Sequence, residues 1–215
     1  MNGTINGIKI AKMSYPDIKK KINMKLLMPL FFAFFFLQCA SNNFNEFIKK
    51  YNTEEYSYWT GKKDLSWTDF EGTPKDTSGD IASDIQVYNP AIIEMENAFS
   101  HARLEALCLF DKKKSWVIKA KATDDQLLYD QVIFNIYELY TRKLRMIFSK
   151  TDFSIEDYKE KFQTITKENN QHLIETVNQL RKDTFSGQIG EATKLWYGKI
   201  SDELDSLQDY SENKY

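Results

Sequence analysis

Residues Leu127–Arg145 read LLYDQVIFNIYELYTRKLR, and the spacing of their apolar side chains decides the fold. Leu128, Val132, Ile136, Leu139 and Tyr140, with Ile147 just beyond, recur at three and four residues, the period of a helix with one buried face. Between Thr123 and Gly187 there is no Gly or Pro, so this segment has room for two long helices. A break at Lys150–Ser154 separates them, and Asp152 or Ser154 is the expected N-cap of the second. Thr123-Asp124-Asp125 supplies a cap and dipole-matched charge for the first. Gly187 and Gly190 end the second helix and open a third, whose expected stripe is Ala192, Leu195, Trp196, Ile200, Leu204 and Leu207.

Toward the N-terminus the period changes. Leu65–Phe70, Ile81–Tyr88, Arg103–Phe110 and Ser115–Ala120 are short, partly alternating and rich in β-branched or aromatic residues. Gly72-Thr73-Pro74 and Asn89-Pro90 punctuate them, so each is expected to be a strand. Asn42–Trp59 is polar and aromatic by turns and reads as a tether with a first short element. Its Tyr56, Tyr58 and Trp59 either cap the domain or contact a partner. The expected architecture is α+β, a small antiparallel sheet first and two or three long helices after it. A single domain spans residues 61–210, with a polar tail over 211–215 that frays from Tyr210.

With 42% hydrophobic and 14% aromatic residues in 215, the chain is rich enough to bury a core. Its net charge is -2, but the charge is unevenly placed. Residues 1–38 hold six lysines against Asp17 alone, which leaves the rest acidic. An acidic body without a basic stripe lacks the clustered Lys and Arg that neutralise phosphates, which excludes nucleic acid as a partner.

The run Leu26–Leu37, LLMPLFFAFFFL, is 12 residues long and follows Lys19, Lys20, Lys21 and Lys25. A membrane-spanning helix needs about 20 apolar residues, so the run is expected to be the apolar core of a secretion signal over residues 1–38. Met24 immediately precedes Lys25 and the run. Translation is therefore expected to begin either at Met1 or at Met24, with residues 1–23 then a mis-assigned start.

Cys39 closes the run as Phe36-Leu37-Gln38-Cys39-Ala40-Ser41, which resembles the lipobox of bacterial lipoproteins. There the cysteine becomes the new N-terminus and carries fatty-acyl chains such as palmitate. Phe36 and Gln38 depart from the common pattern of Leu and a small residue at those positions. The competing reading is ordinary cleavage near Ala40 or Ser41. Lipidation of Cys39 is the favoured expectation, with residues 39–60 as anchor and tether, because several chains at ~0.8 kcal/mol per buried methylene hold firmly. It implies an exported protein on the outer or cytoplasmic membrane, facing the periplasm or the cell surface. The other cysteine, Cys108 in ALCLF, then has no intrachain partner, and a disulfide scaffold is excluded. Cys108 reads as a small core hydrophobe.

Three separated landmarks carry a second resemblance. Leu65-Ser66-Trp67-Thr68-Asp69-Phe70-Glu71-Gly72, then Ser115-Trp116-Val117, then Tyr137-Glu138-Leu139-Tyr140-Thr141-Arg142-Lys143-Leu144-Arg145 resemble, in order and spacing, a bacterial exported family catalogued as domain of unknown function 922. The likeness spans most of Leu65–Leu207. That family reads L-x-W-x-D-F-x-G, S-W-V and H-E-Q-G-H-F-D-I-A-E-x-Y-A-R-K-L, and its helix marks it as zinc-protease-like. In H-E-x-x-H two imidazoles at i and i+4 face one zinc ion while the Glu polarises the bound water. Here the matching positions are Tyr129, Asp130 and Ile133. Ile133 has no donor atom, and the family's further ligand near Thr184-Phe185-Ser186-Gly187 has no His to supply it. His101 and His172 are the only histidines, so the zinc site is expected to be lost, leaving a zincin-like remnant without a cofactor.

Replacement ligands fare no better. Asp130 and Glu138, at i and i+8, lie about 12 Å apart along a helix, too far for one ion even with Asp183 and His172 nearby. Glu138, Arg142, Lys143 and Arg145 read as a solvated or ion-paired helix face, and His172, in ENNQHLIE, as a surface residue. No G-x-S-x-G elbow or phosphate loop is present. The aromatic Phe148–Phe162 region serves core packing or pairing between chains. The expected function is binding or scaffolding in the cell envelope, toward a protein or envelope partner, by a catalytically degenerate domain. A hydrolase remodelled around Asp130 and a surface adhesin are the alternatives.

Overall fold

The computed structural model describes residues 43–61, 64–74 and 82–212. The expected signal region, Cys39 and the tail residues 213–215 lie outside the described residues, as does Ile81. Where a tether was expected, helix α1 covers residues 43–51 and β1 follows at Tyr56–Tyr58. Six short strands come next: β2 (Ser83–Asp84), β3 (Val87–Tyr88), β4 (Ala91–Glu94), β5 (Arg103–Ala106), β6 (Leu109–Asp111) and β7 (Trp116–Val117). Three helices complete the α+β fold: α2 (Asp124–Ser149), α3 (Tyr158–Thr184) and α4 (Gly190–Ser206). Among the described residues, no helix is long and apolar enough to cross a membrane.

The strands pair antiparallel in three small sheets, ordered β1-β6-β3, β2-β7 and β4-β5. Strand β6 is central in the first, with Tyr56 opposite Asp111 and Val87 opposite Phe110. The expected single strand Arg103–Phe110 is therefore two, divided at Leu107-Cys108 and belonging to different sheets. Leu65–Phe70 is not a strand. Trp67–Asp69 forms a 3-10 turn, because the Asp69 carboxylate accepts from both the Ser66 backbone N–H at 2.8 Å and its hydroxyl at 2.7 Å, a local bond that competes with sheet pairing. Likewise only Trp116 and Val117 of Ser115–Ala120 are strand, and Lys119–Lys121 is a 3-10 turn.

Helix α2 is the element on which the other described helices and strands pack. Val132 and Ile136 are fully buried, and Leu139 and Leu144 nearly so, because α3 and α4 cover one side and the strands another. Its N-cap is Thr123, whose Oγ1 accepts from Gln126 N at 3.2 Å. The N-cap of α3 is Asp157, not Asp152 or Ser154. Its carboxylate folds back to accept from Ser154 N at 2.9 Å, so the intervening residues turn before the helix starts. Phe148, Phe153 and Phe162 pack in a second core cluster with Leu104 and Ala106.

In α4 the buried stripe is Thr193, Ile200 and Leu204. Leu195, expected within it, is 77% exposed. At 3.6 residues per turn it lies about 200° round the helix from Thr193. At Tyr210, from which the tail was expected to fray, Gln208–Tyr210 forms a turn and the Tyr210 carbonyl accepts from Arg145 at 3.0 Å.

Candidate functional site

The three sequence landmarks meet around α2. Leu65 N donates to Gln131 Oε1 at 2.7 Å, and Gln131 Nε2 donates to Asn135 Oδ1 at 2.8 Å. Phe70 packs on Trp67 and on Phe110 of β6, with ring centroids 5.1 and 5.2 Å apart. Gly72 N donates to the Ser115 carbonyl at 2.8 Å, so close that a Cβ at Gly72 would lie 2.7 Å from that oxygen. Ser115, completely buried, accepts from Gln86 N at 2.9 Å.

Tyr129 lies on the face of α2 turned toward the link between α3 and α4. Burial pushes the pKa of its hydroxyl up, against the pull of the nearby Arg181 guanidinium. The link itself is built from left-handed residues. Phe185, Ser186 and Gly187 have φ of 48°, 56° and 90°, and Ser186 N closes the helix end on the Arg181 carbonyl at 2.8 Å. Thr184, completely buried, holds Gly187 N at 3.1 Å. Tyr129 and the Thr184–Gly187 stretch, far apart in the chain, are thus in contact.

Asp130 points elsewhere. It is 1% exposed, and Ser83 Oγ donates to its Oδ2 at 2.7 Å. Burial raises its pKa to about 7, opposed by the hydrogen bond from Ser83 and the nearby Gln126 amide and reinforced by Asp84. Ile133 is buried in the main core cluster. One phenol, one carboxyl held by a serine and one aliphatic chain do not fit a zinc site. Among the described residues, no group of three or more His, Cys, Asp or Glu side chains could hold a metal ion. His172 is on the surface, near Glu175 at 3.3 Å, and His101 is exposed. Cys108 is buried, and desolvation holds its thiol well above the usual pKa.

The charged face of α2 is ion-paired but not solvated, which corrects one of the two readings taken from sequence. Glu138 is 2% exposed and lies 2.9 Å from Arg142 Nε and 3.6 Å from Arg145 Nη1. Burial raises the Glu138 pKa against both arginines, and lowers that of Arg145. The arginines also donate to carbonyls at and beyond the C-terminal end of α4. Arg142 Nη1 donates to Leu204 O at 2.7 Å, and Arg145 Nη1 to Tyr210 O and Ser211 O at 3.0 and 3.1 Å. Lys143 alone faces outward, to Glu203 at 3.0 Å. Sequence reasoning anticipated the i, i+4 pair of Glu138 and Arg142, which forms, but missed its burial, the part of Arg145 on the same face and the carbonyls that both arginines reach. Trp59 caps the domain: its Nε1 donates to Asn135 Oδ1 at 2.8 Å, and Arg142 stacks over its ring at 4.9 Å.

Compared with known proteins, the chain matches no family model, no curated protein and no solved structure.

Proposed function

We propose that this is an exported protein, anchored to a membrane through acyl chains on Cys39, whose folded body works by binding within the cell envelope. Its frame is that of a zinc-protease-like domain in which the metal site has been replaced by packing. The observation that carries this reading is the contact of Tyr129 with Ser186 and Gly187. A motif position and the stretch from which the resemblance would draw a further ligand meet in space, and a phenol occupies the junction. The rival, a hydrolase built on Asp130, draws on a carboxyl with a pKa near 7 beside a serine hydroxyl. At 1% exposure that carboxyl is closed to substrate.

Two measurements on cells expressing the chain test the proposal. Labelling with a palmitate analogue should mark the protein, and Cys39→Ala should abolish both label and membrane partition. Protein purified without a histidine tag should hold no transition metal at a meaningful fraction. An unlabelled chain that partitions with the soluble fraction would sink the anchoring. Near-stoichiometric zinc would sink the degenerate-site reading.

A further inference from the structure

Beside the Trp59 cap, α2, α4 and the turn after it enclose a cleft of about 760 Å³, within the size range of small-molecule sites. Two buried side chains form its floor. Asn135, 5% exposed, has its Oδ1 committed to Trp59 and Gln131. Arg142, 2% exposed, has Nε on Glu138 and Nη1 on Leu204 O, with Gln208 Oε1 at 3.4 Å. The described residues make no hydrogen bond to Asn135 Nδ2 or Arg142 Nη2, and neither atom is among the fully enclosed, unsatisfied ones. Both donors therefore open onto the cleft, from side chains whose other atoms are pinned.

The walls have the opposite chemistry. Asp64, Asp205 and Glu212 place carboxylates at the lining, and Tyr197 and Trp59 supply aromatic surface. Arg142 is neutralised by Glu138, so the cleft as a whole is acidic and disfavours phosphates and carboxylates. A ligand suited to it accepts hydrogen bonds at the floor, donates them at the rim, presents an apolar face to an aromatic ring and carries no negative charge. Hydroxyl groups both donate and accept, and a pyranose ring combines them with an apolar C–H face. We propose that this cleft binds a saccharide without anionic groups, one or a few rings long, on Tyr197 and Trp59 with its hydroxyls on Asn135, Arg142 and the rim carboxylates. The proposal rests on the reading of the domain as a binding module and names its ligand class.

The test is calorimetric titration of the full chain in detergent with N-acetylglucosamine oligomers and maltotriose, and with trilysine as a charged comparison. Saturable saccharide binding that is insensitive to salt is expected. Tyr197→Ala should weaken it by about tenfold or more, and so should Asn135→Asp, which keeps the Oδ1 acceptor and removes the donor. Asp205→Asn gives a milder loss from a position whose substitution leaves the core untouched. Binding of neither saccharide, affinity equal in Tyr197→Ala and the parent, or salt-sensitive binding of trilysine alone would overturn the assignment. Loss of saccharide binding with Cys39-dependent anchoring intact would leave the anchored-module reading standing, and the converse would remove that reading alone.

Discussion

The ring of Tyr129 lies against the backbone of Gly187, so that a Cβ added to the glycine would meet the tyrosine Cγ at 2.8 Å. With φ at 90°, Gly187 is also in a conformation that other residues adopt only under strain. One glycine thus fixes both the turn between α3 and α4 and the distance from that turn to α2.

Gly187→Ala is accordingly expected to destabilise the fold by about 2 to 3 kcal/mol, from left-handed strain plus the clash. Urea unfolding measures it. Adding Tyr129→Ala should recover the part due to the ring and leave the backbone part, so a double variant as stable as Tyr129→Ala alone would contradict the account.

Rebuilding the histidine motif should cost stability. Tyr129→His with Ile133→His places two polar rings in packed surroundings, where both parent side chains are about 5% exposed, a loss of ~1 to 3 kcal/mol. Melting temperature and metal content, read together, check this. A double variant that takes up stoichiometric zinc without melting earlier would show a preserved cavity.

Asp130 predicts a pH dependence of defined sign. Its carboxyl titrates near 3.8 when unfolded and near 7 when folded. Between those values the folded state retains a proton that the unfolded state has released. Stability therefore falls as pH rises from about 4 to about 7 and levels off above, by on the order of 4 kcal/mol from this group. Asp130→Asn mimics the protonated form and can still accept from Ser83. It should match the parent near pH 4 and exceed it at pH 8, and equal unfolding free energies at pH 8 would refute the burial argument.

Glu138→Gln leaves Arg142 and Arg145 buried without their carboxylate. Breaking such a pair by removing one partner costs roughly 3 to 5 kcal/mol. Chemical denaturation should show that loss, with a smaller one in Glu138→Met/Arg142→Met/Arg145→Met, where no charge is left unpaired.

The helices were legible because each repeats its apolar spacing over many turns, and Thr123 and the glycines at 187 and 190 punctuate them with chemistry of known sign. The strands were blurred because β2, β3 and β7 are two residues long, too short to show alternation. Ser66 and Asp69 turned an apolar run into a 3-10 turn through a local cap. Leu195 misled because its hydrophobicity was counted without its angle. At the candidate site, Tyr129, Asp130 and Ile133 were found from a motif frame. Their neighbours Ser83, Arg181 and Ser186 lie 47 to 57 residues away, and no spacing rule reaches them. The charged face of α2 was left open between solvated and ion-paired because the pattern of one helix does not reveal how many neighbours enclose it.

The clasp formed by Arg142 and Arg145 also orders events in time. Their acceptors are the carbonyls of Leu204, Tyr210 and Ser211, made some sixty residues after the arginines themselves. A growing chain that has α2 but not yet these residues can offer its arginines only Glu138 and, for Arg145, the Ala106 carbonyl, so the clasp stays half-made until the last helix and the turn after it are present. The central helix therefore reaches its fully paired, buried state only when the final sixty or so residues are in place.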